Sequence, residues 1–323
     1  MRNGVGSSSR GVTIGSVGLG ARRLRVALLA AVFLSTAGAL PASAQFRVLV
    51  TNDDGVAAPG LDAVVEALRA NSALVVDVVA PAANQSGTGD KTTPASSTFD
   101  VTAATTASGY PALAVDGFPA DTVLFAVRHA LPAPPDLVVS GINTGQNISR
   151  EIAAISGTVG AALTAARLGI PAIAVSQGLA AGIDFQQAAG YVAKLVERLR
   201  RSRGLLRVFQ SRDVPGQALA LSLNFPTCTA GAVRGVRVVP LGPLATVTGY
   251  AQLQGSGNTG TFQPVANSVN PFAPVDCTST LEGPVTDLEA FANGFASATP
   301  LGADLTTTGV RLRRFRFAER IGF

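Results

Sequence analysis

Two adjacent carboxylates, Asp53 and Asp54, come just after the apolar and β-branched run of residues 48–51, with only the amide Asn52 between. Side-by-side carboxylates at the end of a buried strand repel each other and lose hydration, so they are costly unless a cation lies beside them. Carboxylate, hydroxyl and amide oxygens are the ligands that hard divalent ions such as Mg²⁺ or Mn²⁺ prefer. The pair therefore predicts a site for one divalent metal. The alternative is an acidic pair that only caps the next helix.

Two more loops rich in oxygen ligands follow later apolar runs. Residues 81–87 include Ser86, and residues 141–147 include Asn143 and Asn147. Ligands of open parallel sheets bind outside the carboxyl ends of the strands, so we expect these loops to meet the two aspartates at one edge.

The segment 155–159 has the residue types of an anion site. Ser156 can cap a helix, Gly157 allows a ligand to approach the backbone, and Thr158 supplies a hydroxyl. Free N–H groups at the start of a helix bind phosphate well. Taken alone the segment is an ordinary helix cap, but beside a metal it predicts hydrolysis of a phosphate ester.

Other chemistries are disfavoured by composition. The chain has one histidine, His129, in a stretch with a helical pattern that indicates a structural role. This argues against a phosphohistidine mechanism, a His-rich dinuclear centre and a Ser-His-Asp triad. The sequence also has no P-loop motif and no C-x-x-C motif.

The elements that must position these loops alternate in type along the chain. Apolar runs rich in Val, Ile and Leu predict strands at 46–51, 74–80, 135–140, 171–176, 218–226 and 233–242. Helical patterns occur at 60–70, 119–131, 157–169 and 185–202. This order predicts an α/β, Rossmann-like doubly wound sheet that is mainly parallel. We expect a core at about 45–242 and an arm and tail at about 243–323, with residues 243–285 forming a protruding arm or long hairpin.

The net charge of +5 is confined to the amino-terminal region. Residues 1–44 hold five Arg and no acid, and the remaining chain has 20 basic and 20 acidic residues. The charge therefore gives no reason to expect a nucleic-acid polymer as partner. Two basic clusters, 198–203 and 311–317, are interpreted as solvated faces, the alternative for either being a phosphate-binding role.

The amino-terminal 44 residues have the pattern of a secretory signal peptide. Arginines precede an apolar run at 26–40, and PASA (41–44) resembles a cleavage site. The alternative is a membrane anchor, but the apolar run is short for a span of about 20 residues. We expect cleavage after Ala44, a periplasmic or secreted protein, and no membrane contact after cleavage. In such a compartment Cys228 and Cys277 predict a disulfide, the alternative being two free thiols.

Several motifs occur together in an order that resembles the SurE family. These proteins are the stationary-phase survival proteins that act as 5'-nucleotidases and acid phosphatases. The matching stretches are TNDDGVAAPGL, VVAPAANQSG, DGFPADTV, PDLVVSGINTGQN, SGTVGAAL, LSLNFP and TDLEAFANGFASATPLGADLT. The resemblance spans most of the chain after residue 44 and is weak only at 205–217 and 243–285.

The resemblance implies a set of site residues. It places the metal ligands at Asp53, Asp54, Ser86 and Asn143, with the two aspartates also catalytic. It places phosphate or substrate contacts at Asn52, Asn147, Ser156, Gly157 and Thr158. It also implies an oligomerising carboxyl-terminal extension and hence a homodimer or homotetramer. The apolar segment 295–305 is the stretch that suggests association through the tail.

The expected activity is metal-dependent hydrolysis of nucleoside 5'-monophosphates to nucleoside and phosphate. The alternatives are a broad-specificity exported acid phosphatase, a non-catalytic phosphate- or nucleotide-binding protein, and a structural secreted protein. The chain departs from the family pattern at Ile155, where Tyr is frequent, and at Ala57, where His is frequent. Both differences bear on base preference.

Overall fold

A computed structural model of the chain describes residues 45–306 and 308–323. The predicted signal peptide at 1–44 lies outside the described residues and stays a prediction. In the described part, none of the helices is long and apolar enough to span a membrane.

The centre of the fold is a nine-stranded sheet. Its strands are β1 (Phe46–Thr51), β2 (Leu74–Pro81), β3 (Val101–Thr105), β4 (Pro111–Val115), β5 (Leu137–Thr144), β6 (Ala172–Gln177), β7 (Ala220–Phe225), β8 (Val236–Val238) and β11 (Ala296–Leu301). Two further strands, β9 (Ala245–Ser256) and β10 (Thr259–Ser268), form a separate hairpin. The strand order in the main sheet is β3-β4-β2-β1-β5-β6-β7-β11-β8, and the central strands from β4 to β7 run parallel.

Helices connect the strands and cover the sheet. They are α1 (Pro59–Arg69), α2 (Pro119–Phe125), α3 (Arg150–Ile155), α4 (Gly157–Arg167), α5 (Gln186–Arg201), α6 (Arg203–Leu206), α7 (Asp287–Ala292) and α8 (Gly309–Phe315). A π-helical turn, Ala126–Ala130, continues α2. Exposed His129 lies on this turn and packs on Phe125 with ring centroids 5.2 Å apart.

The first strand shows why the sheet is covered on both faces. Val48 and Val50 lie in one apolar core with residues of α1 and α5. Leu49, between them, lies in a second core with residues of α2 and α4. Successive side chains of a strand point to opposite faces, so a continuous apolar run requires a helical layer on each side. The predicted doubly wound, mainly parallel α/β fold is confirmed.

The arm is an antiparallel hairpin formed by β9 and β10. Nearly all of its residues are exposed, including Tyr250 and Phe262. The long hairpin expected within 243–285 is thus observed. Its apolar side chains have no core of their own to enter.

The tail differs from the sequence-based division of the chain. Strand β11 lies between β7 and β8, antiparallel to β7, and all six of its residues are buried. The apolar residues of 295–305 therefore belong largely to the chain's own sheet, and their composition is no sign of association. The core is not confined to 45–242, because a strand from the tail completes it.

The interpretation of both basic clusters as solvated faces holds for only one of them. In 198–203, Arg200 and Arg201 pair with Glu197 at the exposed end of α5. In 311–317, by contrast, Arg311 is only 6% exposed and contacts Asp213 at 2.6 Å, while Phe315 is fully buried. That interpretation was wrong for the second cluster because α8 packs its apolar side on the core.

The two cysteines are joined. Cys228, after β7, and Cys277, before α7, form a disulfide with their Cα atoms 5.8 Å apart. The bond closes a loop that contains β8 and the arm. It links the segment that follows β7 to the segment that precedes α7.

Candidate active site

The loops that follow β1, β2 and β5 interlock at one edge of the sheet. The backbone N–H of Gln85 donates to the carbonyl of Asp53 at 2.7 Å. The backbone N–H of Thr144 donates to Oδ2 of Asp54 at 2.8 Å, and Nδ2 of Asn84 lies 3.3 Å from Oδ1 of the same residue. The three oxygen-rich loops therefore meet around the paired aspartates, as parallel strand ends should.

Asp53 is a buried carboxylate, only 3% exposed. Its Oδ1 accepts a 2.6 Å hydrogen bond from the hydroxyl of Thr158. Burial raises the pKa of Asp53 to about 6, and the charge of Asp54 adds to the rise, while hydrogen bonds from Thr158 oppose it. Within the described residues no Lys, Arg or His forms an ion pair with Asp53 or Asp54. The carboxylate thus loses hydration without gaining a cationic side chain.

Asp54 is partly buried and turned toward the other two loops. Burial raises its pKa above the ordinary value for Asp, and the hydrogen bonds from Thr144 oppose the rise. Gly55 follows with a φ of 106°, a conformation that favours glycine, and a Cβ there would lie 3.4 Å from the carbonyl carbon of Ala83. The sharp turn keeps the aspartates against the loop that follows β2.

The other two predicted metal ligands lie on the same interlocked loops. Asn143 is the penultimate residue of β5 and is buried, and its Nδ2 donates to the carbonyl of Gly145 at 2.6 Å. This bond directs the amide nitrogen into the loop, and Oδ1 accepts no hydrogen bond from any described residue. Ser86 is exposed, and its backbone N–H is held by Oδ1 of Asn84 at 2.9 Å.

The start of α4 abuts Asp53. Oγ of Ser156 caps the helix by accepting from the N–H of Val159 at 3.2 Å. A Cβ at Gly157 would lie 2.7 Å from Cβ of Asp53, so only glycine permits this approach. The positive end of the helix dipole therefore faces the carboxylate, where it also favours a bound anion.

Asn52 and Asn147, both predicted phosphate contacts, have different environments. Asn52 is fully buried, and its amide donates to the carbonyl of Gly55 at 2.8 Å and accepts from its N–H at 3.3 Å. Both ends of that amide are used inside the turn, so Asn52 shapes the loop. Nδ2 of Asn147 lies 3.5 Å from Oγ1 of Thr158, which places Asn147 beside the start of α4.

Sequence reasoning missed two buried residues that touch the site, Ser176 and Asn224. Ser176 lies near the end of β6 and Asn224 near the end of β7, and both contact Asn147. Polar residues near the carboxyl ends of apolar strands were the available signal. Both residues lie within predicted strands and not in the loops that follow them.

The donor set fits a hard divalent cation. Two carboxylates short of compensating charge, a free amide oxygen and a hydroxyl are all oxygen ligands of the kind that Mg²⁺ and Mn²⁺ take. Across residues 45–306 and 308–323 there is no group of three or more His, Cys, Asp and Glu side chains placed to hold a metal.

Comparison with known proteins gives a consistent result. A family model described as "Survival protein SurE" matches residues 48–246. A "5'-nucleotidase SurE" of Desulfitobacterium hafniense is 34% identical over 272 residues, covering 84% of this chain and 96% of that one. Another, of Methanopyrus kandleri, is 44% identical over 178 residues, covering 50% and 65%. The crystal structure of a SurE protein from Aquifex aeolicus matches with a TM-score of 0.57 and 30% identity, over 84% of this chain and 99% of that one.

Proposed function

The chain belongs to the SurE family, a family of hydrolases, and we propose that it hydrolyses nucleoside 5'-monophosphates with the aid of one divalent metal. The observation that carries the proposal is the meeting of Asp53, Asp54 and the start of α4 at one sheet edge. A negatively charged ester needs positive potential, and the described residues at this edge offer it mainly through a helix terminus. The names of the matched relatives, both "5'-nucleotidase SurE", support the same activity.

Asp53 and Asp54, with Oδ1 of Asn143 and the hydroxyl of Ser86, would hold Mg²⁺ or Mn²⁺. When bound, such an ion supplies Lewis-acid stabilisation of phosphoryl oxygens and activates water. Thr158 keeps Asp53 oriented and, by hydrogen bonding, favours its ionised form. The N–H groups at the start of α4 orient the phosphate, with Asn147 beside them.

A second candidate, a phosphatase of broad specificity, is favoured by one residue. Ile155 immediately precedes the capping Ser156, and its aliphatic side chain is 58% exposed. It can pack against a leaving group but offers no hydrogen bond that distinguishes one base from another. The enzyme should therefore discriminate only weakly between nucleotides with different bases.

One assay separates these candidates from a non-catalytic binder. Phosphate release is measured from nucleoside 5'-monophosphates, nucleoside 3'-monophosphates and simple aryl phosphates, each with Mg²⁺, Mn²⁺ or EDTA. A nucleotidase prefers the 5'-monophosphates, and a broad phosphatase hydrolyses all of them at similar rates. No release from any ester with either metal would contradict both enzyme candidates and leave the binding protein and the structural secreted protein.

We also propose that the protein is exported after removal of residues 1–44 and associates as a homodimer or homotetramer. The basic and apolar pattern of the leader supports export. The exposed apolar side chains of the arm support association. Amino-terminal sequencing of the exported protein should begin at Gln45.

A further inference from the structure

A row of buried polar side chains crosses the sheet beside the site. Asn143 pairs in register with Ser176, Ser176 with Asn224, and Asn224 with Ser297, so the row spans β5, β6, β7 and β11. All four residues are buried in a sheet that is otherwise largely apolar. Buried polar groups are costly without partners, so their presence here calls for a reason.

The middle two members of this row both hold Asn147. Oδ1 of Asn224 accepts a 2.6 Å hydrogen bond from the backbone N–H of Asn147. Oγ of Ser176 accepts a 2.9 Å hydrogen bond from Nδ2 of the same residue. One contact holds the backbone and the other the side chain, and both come from rigid strands.

Asn147 needs such support because it lies outside regular structure. It follows the end of β5 by three residues, after Gly145, whose φ is 116°. A loop that contains a glycine with a positive φ loses much conformational freedom when it becomes ordered. Even so, Asn147 is only 7% exposed and stays within 3.5 Å of the Thr158 hydroxyl.

We propose that Ser176 and Asn224 are positioning residues that hold Asn147 against the substrate phosphate. The inference rests on the proposed function, in which Asn147 and the start of α4 together bind the phosphoryl oxygens. Neither residue touches the carboxylates through any contact found in the described part of the chain. Their removal should therefore loosen phosphate binding and leave metal binding in place.

The test uses Asn224→Leu and Ser176→Ala, with Ser297→Ala as the matched control. Ser297 is fully buried and pairs with Asn224 across β7 and β11, but its hydroxyl has no hydrogen-bond partner in the described structure. The control thus changes the same row without touching Asn147. For each mature variant we would measure KM, kcat and the inhibition constant for inorganic phosphate. We would also measure the rise in melting temperature that Mn²⁺ causes alone and the further rise that phosphate causes with Mn²⁺ present.

The expected result is a rise of about tenfold or more in both KM and the phosphate inhibition constant for Asn224→Leu and Ser176→Ala, because loosened contacts degrade precise positioning. The metal-induced rise in melting temperature should match the parent in all three variants, and Ser297→Ala should bind phosphate like the parent. If Asn224→Leu does not fold, Ser176→Ala, a much smaller change, decides the matter.

Parental phosphate inhibition in every folded variant would overturn the inference while leaving the proposed function standing. An equal loss of phosphate binding in Ser297→Ala would also overturn it. Any change in the row of buried polar residues would then weaken phosphate binding, whether or not the residue contacts Asn147. A parent enzyme that hydrolyses no phosphate ester would remove the proposed function, and the positioning role with it.

Discussion

The hydroxyl of Thr158 donates a 2.6 Å hydrogen bond to Oδ1 of Asp53, joining residues 105 positions apart in the chain. The bond connects the predicted metal site to the predicted phosphate site. Asp53 is buried, so this donor is worth more than a similar one at the surface. The two halves of the site are therefore mechanically and electrostatically coupled.

Replacement of Thr158 by Val tests this coupling. Valine has nearly the same shape but no hydroxyl, so Asp53 loses its donor and its pKa should rise further. A hydrogen bond to a charged group contributes about 1.5–3 kcal/mol, which corresponds to a loss of about ten- to hundredfold in kcat/KM. Thr158→Ser keeps the hydroxyl and should retain most activity. Parental activity in Thr158→Val would show that the bond is not needed.

Replacement of Gly157 by Ala should block the approach of α4 to Asp53. The added Cβ would lie 2.7 Å from Cβ and 2.9 Å from Oδ2 of Asp53. One of the two elements must move, and a displacement of about 1 Å costs about a hundredfold in rate. Gly190→Ala, in α5, is the matched control because a Cβ there meets no heavy atom within 4 Å. The control should keep full activity and gain up to about 1 kcal/mol in stability.

Asp287 should make the stability of the metal-free protein depend on pH. It is fully buried and accepts hydrogen bonds from the backbone N–H groups of Ser149, Gly242 and Leu288. Burial raises its pKa from 3.8 to about 6, although those donors oppose the rise. The folded state then holds a proton that the unfolded state releases. Its contribution is fully present below about pH 4 and is lost as pH rises through about 6.

The measurement is the free energy of unfolding in urea with EDTA between pH 4.5 and 6.5. Asp287→Asn removes the titrating group, so its stability should depend on pH less steeply than that of the parent, by on the order of 1 kcal/mol per pH unit. Asp53 titrates in both proteins and does not affect the difference. The variant should also be less stable throughout, because an amide nitrogen would face one backbone N–H. Parallel pH curves for the two proteins would contradict the assignment.

The arm should mediate association. Tyr250 and Phe262 are 68% and 41% exposed on the hairpin, away from any core. Replacing both with Ser should shift the protein toward the mass of one chain by light scattering at micromolar concentration. The thermal stability of the single chain should not change, since exposed side chains contribute little to it. A parent that already has the mass of one chain would contradict association.

Much of the fold and the metal-site candidates could be predicted because their signals are local. The apolar run before Asp53 and Asp54 indicates a buried strand, and strand ends in parallel sheets converge by rule. The position of β11 could not be predicted in this way. Its mixture of small, apolar and polar residues is compatible with an edge strand, an interface or a central strand, and only long-range pairing with β7 and β8 decides.

Residue roles within the site were harder to predict than residue identities. Asn52 is next to the aspartates, yet its amide is used by Gly55, which depends on the turn geometry. Asn224 is 77 positions from Asn147, and its role depends on which strands are neighbours. Local periodicity contains neither kind of information.

The most direct test of the central claim is the behaviour of Asp53→Asn and Asp54→Asn beside the parent. Each substitution keeps the side-chain shape and removes one of the two charges that would hold the metal. Phosphatase rate and melting temperature are measured as Mg²⁺ or Mn²⁺ is added to the EDTA-treated proteins. We expect turnover and the metal-induced rise in melting temperature to be lost in both variants. Without metal, Asp53→Asn should be at least as stable as the parent, because carboxylate repulsion is relieved. Asp54→Asn gains the same relief, but its amide nitrogen would face the N–H of Thr144 or the amide of Asn84, so its stability should rise less. Near-parental turnover in both variants would contradict the metal site and the phosphatase mechanism built on it.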